Sequence, residues 1–255
     1  MLTSTTLLAI LLGGLIGLSL GMLGGGGSIL TVPALVYVLG QDPHAAISAS
    51  LVIVGLNALT GAWFHRRAGH VRLKSSMAFG GMGLLAAFAG ARLSALLPAA
   101  LLLVLFALLM LVVAILMLRG RGVGRADGDT ALVWWKVAIG GLGVGFLTGF
   151  LGVGGGFLIV PALVLLLGMD MRDAVGSSLV VIALNSAAGV LGHLGENQIS
   201  WLVVAMLLAG GLPGLLLGTR MASRLPVQRL RQGFAMLVIV LGATLLAINI
   251  PKLIA

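Results

Sequence analysis

The 255-residue chain has no cysteine, which excludes a disulfide framework, thiolate chemistry and any cysteine-ligated metal. Charge is nearly as scarce: 8% of the residues are Asp, Glu, Lys or Arg, and Asp42 is the only one of these before Arg66. A soluble chain needs a polar surface, and this composition has little to build one from. No charged residue lies deep in an apolar run, so neither a buried carboxylate relay nor a buried Lys or Arg clamp is available. What remains is apolar sequence: 60% of residues are hydrophobic, in runs near 20 residues, and 40 are glycine. That pattern predicts an all-α integral membrane protein with closely packed helices. The start, MLTSTTLLAILLGGL, lacks a positive segment and reads as a retained helix, not a cleaved signal.

Breaks at charges and turn residues give five hydrophobic segments per half, and eight to ten transmembrane helices in all. They fall at 5–22, 28–40, 44–64, 75–94 and 98–118, then at 133–150, 156–168, 174–193, 201–219 and 230–249. The second segment of each half is about 20 Å of helix, short of the roughly 30 Å hydrocarbon core. It is expected to form a hairpin or broken pair with the segment before it, hinged at glycines.

The halves repeat each other. Gly24 to His65 aligns without gaps on Gly152 to His193, with 20 identities in 42 positions. The repeats are taken as 1–127 and 128–255 of one membrane domain. Positive charge orients them. If the loop bearing Arg66, Arg67, Arg72 and Lys74 is cytoplasmic, alternation puts 13 of the 15 basic residues inside and only Arg92 and Lys252 outside. The matching loop of the second half, LGENQIS, has no positive charge and carries Glu196. This reversal, with an odd number of segments per half, predicts inverted repeats in the cell membrane with both termini outside. Inverted repeats are the architecture of secondary transporters, so alternating access is the leading expectation.

The motif G-x-GGG-x-x-x-V-P-A-L near the start of each half, followed by the A-x-S-L-V and L-N-x-x-x-G stretches, resembles the TauE/SafE sulfite exporter family, also called the 4-toluene sulfonate uptake permease (TSUP) family. The resemblance covers most of both halves. It implies transport of a small sulfur-containing anion such as sulfite, thiosulfate or an organosulfonate. Spacing and composition alone do not name these substrates.

The candidate binding residues come in matched sets. Gly24, Gly25, Gly26 and Gly27 with Ser28, and Gly154, Gly155 and Gly156, lead into short helices whose free N–H groups and positive dipole ends suit an oxyanion. Pro33 and Pro161 break those helices about five residues in, leaving the carbonyls of Ile29 and Phe157 without a partner. Asn57 and Asn185 offer amides inside the third segments, as anion donors or as interhelical hydrogen bonds. Ser50 and Ser178 lie seven residues earlier, on the same helix face, to extend a polar lining or to bond their own backbone. Asp42 and Asp170 read as N-caps. His65, His193, Arg92 and Arg220 match across the repeat and are placed at the mouths, as gating or anion-attracting groups or as interfacial residues complementing helix ends.

Together these residues predict a carrier of sulfur-containing anions, with export favoured because an inside-negative potential drives an anion outward by about 2.3 kcal/mol per charge per 100 mV. An anion channel, or a membrane sensor or assembly subunit without transport, is the alternative. No catalysis, cofactor or metal is expected, and no nucleic-acid partner, since the basic residues sit in loops between apolar runs. The bilayer and the anion are the expected partners. The chain is self-sufficient and open to homodimerisation. Small residues in the fourth segments, Ala86 with Gly90 and Gly214 with Gly218, suit close helix contacts within the chain or between protomers.

Overall fold

The computed structural model describes residues 2–94, 96–119, 134–151, 156–193, 199–222 and 227–254. Among them are ten α-helices and no strand: α1 (Leu2–Leu23), α2 (Gly26–Pro33), α3 (Pro43–Arg67), α4 (Leu73–Ser94), α5 (Ala99–Arg119), α6 (Trp134–Leu151), α7 (Gly156–Leu167), α8 (Met171–Gly192), α9 (Trp201–Ala222) and α10 (Val227–Ile254). The chain is an all-α integral membrane protein. Five helices, α1, α3, α4, α8 and α9, carry apolar stretches long enough to cross a bilayer, and α5, α6 and α10 add shorter ones. Their outer faces are apolar too, with Leu85, Trp201 and Met236 largely exposed, as lipid contact requires.

α3 and α8 form the centre. They cross antiparallel: Leu51 meets Gly189, Gly55 meets Ser186, and Gly61 meets Leu179. Around them the halves exchange helices. α1 packs on α9 and α6 packs on α4, while α5 pairs with α10. The first two pairs run parallel on glycine. Gly13, Gly17 and Gly21 of α1 lie directly on the backbone of Leu207, Gly211 and Leu215, and Gly141, Gly145 and Gly149 of α6 on that of Phe79, Gly83 and Ala87. The small-residue contacts of α9 at Gly214 and Gly218 are therefore made within the chain. In α4 the stripe is Gly83, Ala87 and Gly90; Ala86 stands one position off it.

The short helices double back on their predecessors. Gly27 of α2 sits on Ile16 and Leu20 of α1, so the two form the expected hairpin. After Pro33 the helix widens into a π-turn over Ala34–Val38, where Leu39 N–H reaches the Ala34 carbonyl; Pro161 lies inside a continuous α7. Both short segments then end alike. Gly40 and Gly168 each have φ +64°, and the following N–H groups, of Gln41 and Met169, bond back to the carbonyls of Leu35 and Leu163. Each bond spans six residues, one more than a Schellman closure, and turns on a left-handed glycine. Asp42 then caps α3 through His44 and Ala45 N–H. Asp170 occupies the matching N-cap position but its side chain makes no capping bond, and the acid of that first turn is Asp173.

Candidate functional site

Two helix breaks meet in the interior. α1 ends at Leu23, and the chain turns at Gly24, whose φ of +71° is left-handed and open to glycine without strain. Gly25 then precedes α2 with no side-chain cap. A Cβ on Gly25 would collide with the backbone of Gly156, the first residue of α7, and one on Gly156 would meet Gly25 and the Ile182 side chain. The N-terminal ends of α2 and α7 therefore abut. Each brings the partial positive charge of a first helical turn; in α2 the Ser28 N–H is already bonded to the Gly25 carbonyl at 3.2 Å. Gly26 and Gly27 belong to the first turn of α2; Gly154 and Gly155 lie outside the described residues.

Ser178 of α8 completes this junction, its Oγ 2.8 Å from the Val175 carbonyl and 3.4 Å from that of Gly24. Ser28 donates to the Gly25 carbonyl at 2.7 Å, and Ser50 to that of Ile47 at 2.9 Å. All three serines are fully buried, and their hydroxyl protons brace helical backbone. The asparagines are placed differently. Asn57 lies against Gly211 of α9, and Asn185 against Gly83 of α4, which is the matched arrangement in the other half. They flank the α3/α8 crossing and point to separate helices. Asn57 Nδ2 bonds the Ile53 carbonyl at 3.0 Å, whereas its Oδ1 and both amide atoms of Asn185 have no partner among the described residues.

A cavity of about 360 Å³ opens at one end of the bundle, between the ends of α1, α3 and α9 and the start of α8. Its rim carries His70, Arg172 and Arg220, and its walls include Met22, Phe64, His65 and Val175. None of the described residues lining it is acidic. Val175 connects it to the junction, because a Cβ on Gly24 would touch Val175 as well as Ser178. The nearby Asp173 carboxylate is taken up by Arg72 at 2.7 Å and His70 at 3.5 Å. Arg72 N–H also bonds Ser177 Oγ at 2.9 Å, pinning the α3–α4 loop to α8. Cations stand at the rim, the wall is largely apolar, and the helix N-termini lie behind Val175.

Of the matched mouth residues, His65 and Arg220 line this cavity. His193 is buried elsewhere, and Arg92 lies over the Phe88 ring at 5.6 Å. Met22, Arg172, Val175 and Thr219 were not singled out from sequence. A signal for Arg172 existed in the charge alternation, which assigns it to the same face as Arg66, Arg72 and Arg220.

Comparison with known proteins agrees with this architecture. The sulfite exporter TauE/SafE family matches residues 9–245. A probable membrane transporter protein of Xylella fastidiosa strain Temecula1 is 38% identical over 89% of both chains. One from Bacillus subtilis is 27% identical over 94% of this chain and all of that one, and one from Methanocaldococcus jannaschii is 27% identical over 74% and 73%. No solved structure matches. Helices built to cross a bilayer, a broken pair in each half and these relatives lead to one conclusion: the chain belongs to the TauE/SafE family of membrane transporters.

Proposed function

We propose that the protein is a secondary carrier that moves a small sulfur-containing anion, such as sulfite, thiosulfate or an organosulfonate, across the cell membrane by alternating access, with export favoured. The observation that carries this reading is the abutting pair of helix N-termini at Gly25 and Gly156, reached from a cavity with a cationic rim and no acidic lining among the described residues. Backbone N–H groups and dipole ends bind an anion by partial charge and release it readily. An inverted repeat is supported by two features. The matched helices α3 and α8 run antiparallel, and α1 and α6 exchange partners reciprocally with α9 and α4. Under this reading the Arg66–Lys74 loop and the cavity face the cytoplasm, as the positive-inside rule requires.

Purified protein in liposomes tests the proposal. Saturable flux of sulfite, thiosulfate or a small sulfonate, with counterflow, is expected. Flux of none of these anions would overturn the substrate, and ohmic conductance without saturation would indicate a channel.

A further inference from the structure

The two mouths are built from equivalent sequence but are in opposite conditions. At the repeat spacing, Met22 corresponds to Phe150, Val175 to Ile47, Thr219 to Ala91, Ala222 to Ser94 and His65 to His193. The first residue of each pair lines the open cavity. These five counterparts are buried, with exposures between 0 and 8%, whereas Phe88 and Arg92, the matches of the cavity-lining Leu216 and Arg220, are exposed. Gly192, the match of Phe64, is pressed against Ala91 so closely that a Cβ on it would lie 2.6 Å from the Ala91 methyl. Among the described residues, one end of the bundle carries an open cavity, and the matching end is closed at these five positions.

The shut end holds a hydrogen bond that Ala222 cannot make at the open end. Ser94, the last residue of α4, has its Oγ 3.0 Å from His193 Nε2, just beyond α8. His193 Nδ1 lies 3.0 Å from the Gly189 carbonyl. A carbonyl only accepts, so in the neutral ring Nδ1 carries the proton and Nε2 receives the Ser94 hydroxyl proton, shared with the Ala91 carbonyl at 2.8 Å. The contact ties the C-terminal ends of α4 and α8 together. At the open mouth Ala222 occupies the place of Ser94, and His65 Nε2 has no partner among the described residues.

We propose that Ser94 and His193 form a one-sided lock. It holds the far mouth shut and keeps the resting protein open to the face of the Arg66–Lys74 loop, and Ala222 leaves the opposite state without an equivalent. The lock rests on the alternating-access reading, but conformational labelling tests it without any anion. The chain has no native cysteine, so single thiols report each mouth. Thr219→Cys and Ile47→Cys are exposed separately to a charged thiol reagent in vesicles opened to reach both faces. Rapid modification at 219 and slow modification at 47 are expected. Adding Ser94→Ala should raise the rate at 47 by about three- to tenfold, the weight of one hydrogen bond, with a smaller fall at 219, where the accessible state is already the major one. Ala222→Ser, which offers His65 the missing hydroxyl, should raise the rate at 47 by a similar factor and slow modification at 219 by less. It decides the matter alone if Ser94→Ala does not fold. Equal rates at the two thiols, or rates unmoved by both substitutions, would overturn the lock. Failure to move any sulfur anion with this labelling pattern intact would remove the substrate and leave the lock standing.

Discussion

Asn57 and Asn185 occupy matched positions with unequal hydrogen bonding, and this separates their expected contributions. Asn57→Ala removes a bond to Ile53 and should lower stability by about 1 kcal/mol. Asn185→Ala removes a buried amide that has no partner among the described residues, so stability should hold or rise, read as the melting midpoint in detergent. A raised KM for Asn185→Ala without loss of stability would give that amide a role in binding. At the junction, Gly25→Ala should force the starts of α2 and α7 apart. We expect flux to fall about tenfold or more while helical content is kept; unchanged flux would remove the junction from the site. The matched glycines, serines and asparagines were legible in the sequence because a polar or conformationally special residue stands out against apolar surroundings. Which of them meet was not. Gly25 abuts Gly156, three positions along the sequence from its repeat match, a stagger that no spacing along the chain encodes.

Helices were read closely from hydropathy: the segment at 44–64 became Pro43–Arg67, that at 75–94 became Leu73–Ser94, and that at 201–219 became Trp201–Ala222. Their neighbours were not readable. In water a helix reveals its buried side by apolarity, but in a bilayer both sides are apolar and that cue disappears. Glycine carried what information remained. Gly17 and Gly145 are matched residues at the centres of the two parallel pairs, and a side chain on either meets backbone, not a yielding side chain. Gly17→Val and Gly145→Val should each destabilise by about 1–3 kcal/mol or more, seen as a lowered melting midpoint. A surface glycine such as Gly81, with open space around it, should tolerate the same change. Capping predicts a further asymmetry: Asp42→Ala should cost about 1 kcal/mol, and Asp170→Ala clearly less, because only Asp42 makes the capping bonds.

The whole molecule presents its open cavity on the face where Arg66, Arg72, Arg172 and Arg220 gather, and long-range attraction there is a property of the assembled bundle. Arg172→Gln and Arg220→Gln should raise KM for a sulfur anion by roughly three- to tenfold with a smaller effect on kcat, and flatten the dependence of uptake on ionic strength. Equal losses in KM and kcat would place these residues in the translocation step. The exchange of helices between halves bears on how the protein is made. α1 leaves the ribosome before α9, but the surface that covers its glycines belongs to α9, which begins at residue 201. At about 5–20 residues per second, α1 waits roughly 10–40 seconds in the bilayer for its partner. Its glycine-lined backbone is open throughout to other nascent helices and to the quality-control proteases that survey them, so the speed of synthesis becomes a determinant of yield.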